Sequence, residues 1–187
     1  MGADTGQTWQ AWVPVAAPEP LPAVTGPAAP LPMLTADPAL PIAPTERIAD
    51  LWVVGAHGGA GESTLAALVD GWLAAEHAWP DAPQPAPCVL TARTSAGGLL
   101  AAQAALRQWA AGDTPVQLTG LVLLADAPGS LPRSLRDLAG LVAGGAPRCW
   151  SIPWIEQWRL GQAQVTRDVA RLIRDLTVVT DTTRRSK

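Results

Sequence analysis

Lysine is nearly missing from this chain. Of its 13 basic residues one, Lys187, is a lysine and the other twelve are arginines. No internal lysine is therefore available to meet a phosphate. Charged residues make up 16% of the 187 positions and the net charge is −3. That balance argues against a nucleic-acid partner: Arg167, Arg171 and Arg174 fall along a helix, but Asp168 and Asp175 interleave with them. No run of 18 apolar residues occurs, so no membrane span is expected. The first residues lack the basic and apolar regions of a secretory signal, and the expected compartment is the cytoplasm. Two cysteines, Cys88 and Cys149, are too few for a disulfide framework. Both lie in apolar, strand-like stretches and read as inert core thiols of a reducing compartment. With two histidines besides, no metal-ligand spacing arises, and no metal site is expected. Residue order alone supports no serine-histidine-acid arrangement.

What is abundant is proline, and it is uneven. Residues 1–45 hold ten of the nineteen prolines, in Ala-Pro and Leu-Pro units such as "EPLPAVTGPAAPLPMLTADPALPIAP". Proline fixes φ and removes a backbone donor, so residues 1–47 are expected to be a disordered, extended and unpaired tail. It would serve as a tether or as a ligand for a partner with an aromatic groove. Trp9 and Trp12 near its start form a short candidate docking element.

Residues 48–178 read as one folded domain, long enough to bury roughly two-thirds of its unfolded surface. "LWVVGA" (51–56), "CVLTAR" (88–93), "GLVLLAD" (120–126) and "RCWSIPW" (148–154) are short apolar runs with the character of buried strands. Between them, Leu65, Leu68, Val69, Trp72 and Leu73 fall on one face of a helix, as do Leu99, Ala102, Leu106 and Trp109. "AWPDAPQPAP" (78–87) reads as a proline-rich loop. A helix follows "GLVLLAD", with Pro132 in its first turn and glycines after its last. A final helix would turn Val165, Val169, Leu172, Ile173 and Leu176 inward, before a flexible end at 179–187. Apolar strands alternating with amphipathic helices imply an α/β fold: an open three-layer sandwich around a mostly parallel sheet.

The first strand runs into "VVGAHGGAGESTLAAL" (53–68), with the outline of a phosphate-binding loop. Such a loop reads G-x-x-x-x-G-K-[ST], its lysine reaching the outer phosphates. Here Glu62 stands at the lysine position. The candidate binding residues are His57, Gly58, Gly59, Ala60, Gly61, Glu62, Ser63 and Thr64. The glycines suit a tight turn against a ligand, the helix start favours an anion, and Ser63 matches the hydroxyl that meets magnesium. A like charge about 4 Å away costs about 1 kcal/mol in water and about 4 at an effective dielectric of 20. Swapping attraction for repulsion doubles that term, removing several decades of triphosphate affinity. Three arrangements stay open: the Glu62 carboxylate caps the helix start in place of the phosphate, it points to solvent beside a weakened nucleotide site, or it has an altered catalytic role. The arginine, alanine and proline bias points to a GC-rich genome, which explains scarce lysine but not a glutamate at 62.

"AHGGAGEST" (56–64) resembles the deviant K-G-G-V-G-K-T loop of ParA/MinD-type ATPases, with Gly58, Gly59 and Gly61 aligned. His57 then falls on that family's first, signature lysine and Glu62 on its second. The resemblance implies a truncated P-loop-NTPase-like fold, with ATP and magnesium as cofactors of weak affinity. It also implies the loss of both cationic tools, one for the transferred phosphate and one for the dimer partner's active site. His57 reads as a neutral loop histidine. "CVLTARTSAGGLLAAQAAL" and "GLVLLAD" look like the family's late strands, and "RCWSIPWIEQWRLG" like the segment ending in its P-Y-D-like turn. The aspartate-rich middle of that family has no counterpart. The whole chain is also similar to a family of short actinobacterial proteins that share the G-A-H-G-G-A-G-E-S-T loop and have no assigned activity.

Further candidates surround the loop. Arg93 would end the second strand at the same sheet edge, and Arg133 and Arg136 would begin the following helix. Asp126 is a strand-end acid or a magnesium-linked one. Trp154 would stack on a nucleotide base or, with Trp150 and Trp158, pack in the core or an interface. The function expected is a degenerate P-loop protein without efficient hydrolysis, acting as a regulatory or scaffolding partner of another protein and able to form a homodimer. A genuine ATP-binding protein or slow ATPase, and an interaction module working through the proline-rich tail, are the alternatives.

Overall fold

The computed structural model describes residues 40–84, 87–162 and 164–185. Most of the expected proline-rich tail, including Trp9 and Trp12, lies outside the described residues. In chain order the elements are β1 (Ile42–Pro44), β2 (Leu51–Gly55), α1 (Glu62–Ala66), β3 (Trp72–Ala74), β4 (Trp79–Asp81) and β5 (Pro87–Arg93). Then follow α2 (Ala96–Ala110), β6 (Gln117–Leu124), α3 (Arg133–Ala143), β7 (Cys149–Ile152), α4 (Glu156–Arg159) and α5 (Arg167–Arg185).

Five strands form one sheet in the order β3-β2-β5-β6-β7, each neighbouring pair parallel. Counted along the chain within this sheet, the order is 2-1-3-4-5, a doubly wound arrangement that reverses between β2 and β5. Alternate side chains feed two cores. Trp52, Val54, Leu90, Leu121 and Leu123 pack with Leu99, Ala102 and Leu106 of α2 and Val142 of α3. Leu51, Val53, Val89, Val122 and Leu124 pack on the other face with Leu65 of α1 and Val169, Leu172 and Leu176 of α5. Burial on both faces explains why the central strands are apolar throughout, and the expected three-layer α/β sandwich with its parallel sheet is what forms.

Several expectations need correction. The helix after the glycine loop stops at Ala66, and Trp72 and Leu73 belong to a strand beside β2. Gly71 is the cause: its φ of +86° is left-handed, and its carbonyl accepts from Asp50 N at 2.7 Å, turning the chain into β3. The stretch 78–87 is not wholly loop. Trp79–Asp81 pairs in parallel with Ile42–Pro44, which falls within the segment expected to be unpaired. Trp79 anchors that pair; it is fully buried and its Nε1 donates to Gln108 Oε1, while Gln108 Nε2 donates to Leu40 O. Prolines are tolerated because this ribbon is small and all edge. Val165 precedes α5 and is exposed, and α5 runs to Arg185. Cys88 is a core thiol as expected, but Cys149 is exposed, because β7 is an edge strand.

Candidate functional site

In open α/β sheets ligands bind beyond the carboxyl ends of the strands, where the strand order reverses. That point is the crevice between β2 and β5. The loop leaving β2 opens with Ala56 N donating to Thr91 O on β5, and closes a turn with Ala60 N donating to His57 O. Gly59 and Gly61 are left-handed, with φ of +77° and +84°. A side chain at Gly61 would also collide with Leu124 of β6.

His57 is tied to its neighbours at both nitrogens. Nε2 lies 3.1 Å from Arg93 N, which can only donate, so Nε2 accepts. The ring proton then sits on Nδ1, 2.8 Å from Gly58 O. In this tautomer neither ring nitrogen is left to face a ligand. The ring rests against the first turn of α2, where a Cβ at Gly98 would come within 2.8 Å of Nε2.

Glu62 corrects the sequence reading. It opens α1 yet is only 4% exposed, so it does not point to solvent. Nor does it cap the helix start. Oε1 accepts from Ala75 N at 2.8 Å and His77 N at 3.4 Å, and Oε2 pairs with His77 Nδ1 at 3.0 Å. The carboxylate thus fastens α1 to the turn leaving β3. Glu76 and His77 there hold φ of +57° and +58°, costly for residues with a Cβ and sustained by these bonds. Gly55 leaves room for the pair, since a Cβ would stand 2.5 Å from His77 Nδ1 and 2.9 Å from Glu62 Oε2. Burial drives the Cys88 thiol far above the ordinary cysteine range, and the Glu62 charge pushes it in the same direction.

A cleft of about 430 Å³ opens beside the loop. His57, Gly58 and Gly59 line it; Ala60, Gly61, Glu62, Ser63 and Thr64 do not. Ala60 is fully buried, Ser63 is exposed and Thr64 is half-buried behind it. Arg93 supplies a cation held in place: Nε donates to Gly59 O and Nη1 to Ala125 O, both at 3.0 Å. It is therefore a brace across the crevice rather than a free surface charge. Trp154 and Trp158 also line it, with their indole N–H groups already donated to Glu156 Oε2 and Gln164 O. Their rings, not their N–H groups, are left for a ligand. Asp126 and Arg159 are the other charged residues of the lining. Nothing in the sequence singles out Arg159, which sits on a four-residue helix with no periodic signal. Trp150 is elsewhere, bonded to Asp175 of α5. Arg133 and Arg136 also stay outside the cleft: Arg133 forms an exposed pair with Asp137, and Arg136 holds Leu131 O. Among the described residues no cluster of three or more metal-ligating side chains occurs.

The conserved profile of a family of unknown function, DUF6668, matches residues 49–183, most of the chain. The chain belongs to DUF6668. Comparisons with curated proteins and with solved structures give no match. The matched span of this DUF6668 member takes in the sheet, the glycine loop and the cleft. Among the described residues of the DUF6668 chain no helix is long and apolar enough to cross a membrane.

Proposed function

We propose that this DUF6668 domain is a degenerate P-loop-like binding module that does not hydrolyse nucleotide efficiently and acts as a regulatory or scaffolding partner. Its cleft takes a nucleotide or simpler anion weakly. The reading rests on the two positions that resembling loops fill with lysine. One is His57, neutral and bonded at both ring nitrogens. The other is Glu62, buried and bonded to the β3 exit. Neither presents positive charge to a transferred phosphate. Arg93 offers one fixed cation, and Asp126 in the same cleft opposes accumulated negative charge. Trp154 and Trp158 supply ring faces for a base.

Calorimetric titration of Mg-ATP and Mg-GTP, with a phosphate-release assay, tests this. The expected dissociation constants are weaker than about 100 μM, with release no faster than the protein-free blank. Micromolar binding with turnover would instead make the chain a genuine ATP-binding protein or slow ATPase.

A further inference from the structure

We infer that the cleft's ligand class is a monocarboxylate carrying an apolar chain or ring, with the carboxylate on Arg93 and the hydrocarbon body in the groove beside it. The inference rests on the reading of the cleft as an anion site, though not on the anion being a nucleotide.

That groove, about 620 Å³, runs between the β6–α3 loop and the end of β7 and shares Asp126 and Pro153 with the cleft. Its floor is Leu123 and Ile152, 4% and 2% exposed, and its walls include the half-buried Leu131 and Leu135. A large apolar hollow with a few convergent polar groups at one end is the usual form of a small-molecule site. The loop forming one side is pinned at both ends. Ala125 N donates to Ile152 O, Asp126 N donates to Thr94 Oγ1, and Leu131 O accepts from Arg136 Nη2. The hollow is thus fixed in position relative to Arg93, which holds the same loop through Ala125 O.

The head group follows from charge. Arg93 donates through Nε and Nη1 to backbone carbonyls, and among the described residues its Nη2 has no hydrogen bond. A guanidinium held flat with one amino group free suits a planar carboxylate. Asp126, at the junction of cleft and groove, and Asp168 along the groove disfavour a multiply charged head. In the cleft itself Arg93 and Arg159 against Asp126 leave one positive charge, so a single carboxylate with an apolar body matches this lining and a magnesium-bound triphosphate does not.

Titration of the full chain with hexanoate, octanoate, decanoate, decan-1-ol and Mg-ATP at fixed ionic strength tests the assignment. Affinity is expected to rise about three- to fourfold per methylene along the acids. Decan-1-ol should bind at least about tenfold more weakly than decanoate, a gap that Arg93→Gln abolishes. Ala127 is exposed and lines the groove. Ala127→Trp, which fills the groove without entering the core, should weaken decanoate at least about tenfold and leave Mg-ATP unchanged. If Arg93→Gln fails to fold, the chain-length series and Ala127→Trp decide alone. Equal affinity for all three acids, or indifference to Ala127→Trp, overturns the assignment. Binding of Mg-ATP without any carboxylate would also sink it while leaving the anion-site reading intact; silence from every ligand would remove both.

Discussion

Glu62 is a buried acid with three contacts, all at the exit of β3. The space those contacts occupy is made by Gly55, so the two positions should answer mutation together. Gly55→Ala would place a methyl group 2.5 Å from His77 Nδ1 and force the pair apart. The expected cost is about 1–3 kcal/mol, as for other overpacked sites, read as a lower urea midpoint with unchanged slope. An unchanged midpoint would mean that the pair has another way to fit. Arg93 shows the same principle with opposite charge. Its guanidinium joins the glycine loop to the β6 exit through backbone carbonyls, so a residue that resembles a free surface cation holds the crevice at a set width.

The small β1–β4 ribbon depends on one side chain of α2. Gln108 accepts from Trp79 Nε1 and donates to Leu40 O. Gln108→Ala leaves the indole N–H of a fully buried tryptophan without its partner, and should cost about 1–3 kcal/mol. Hydrogen exchange checks the location: Trp79 N, bonded to Pro41 O, should lose protection ahead of the amides of β5. The sequence made β2, β5, β6 and β7 readable because strands packed between two helical layers are locally apolar. It hid β3 because the spacing of Leu65, Leu68, Val69 and Trp72 mimics a helix, and only the left-handed Gly71 breaks it. It hid β1 and β4 because a pairing between Ile42 and Trp79 leaves no periodic trace in three-residue strands. The glycine loop is plain from its residues. The direction of Glu62 is not, since its partners lie 13 and 15 residues on, at the exit of a three-residue strand whose spacing mimics a helix.

Across the whole molecule, few groups titrate in mild alkali, for the chain has no tyrosine and one lysine. Burial raises both thiols, Cys149 and, with the Glu62 charge added, Cys88 further. The folded pKa of Cys88 is raised by burial, so its effect is absent below the ordinary thiol pKa. Above that point the unfolded chain loses a proton that the native chain keeps, and stability falls with rising pH. The Cys88 share of the slope should approach about 1.4 kcal/mol per pH unit above about pH 9. Urea unfolding at several pH values would check it, with Cys88→Ala showing a shallower fall than the parent chain. The same core bears on function, because Glu62 reaches the β3 exit from beneath the loop and touches the stability of the sheet before it touches any ligand. The most direct test is Glu62→Lys, which restores the lysine of the resembling loops, measured for thermal unfolding and ATP hydrolysis together. Removing the bonds of a buried acid and burying a lone cation in its place should cost about 3 kcal/mol, or about 6–12 °C in Tm for a chain of this size, with phosphate release still at the blank. A variant that melts with the parent chain and begins to hydrolyse ATP would contradict the account.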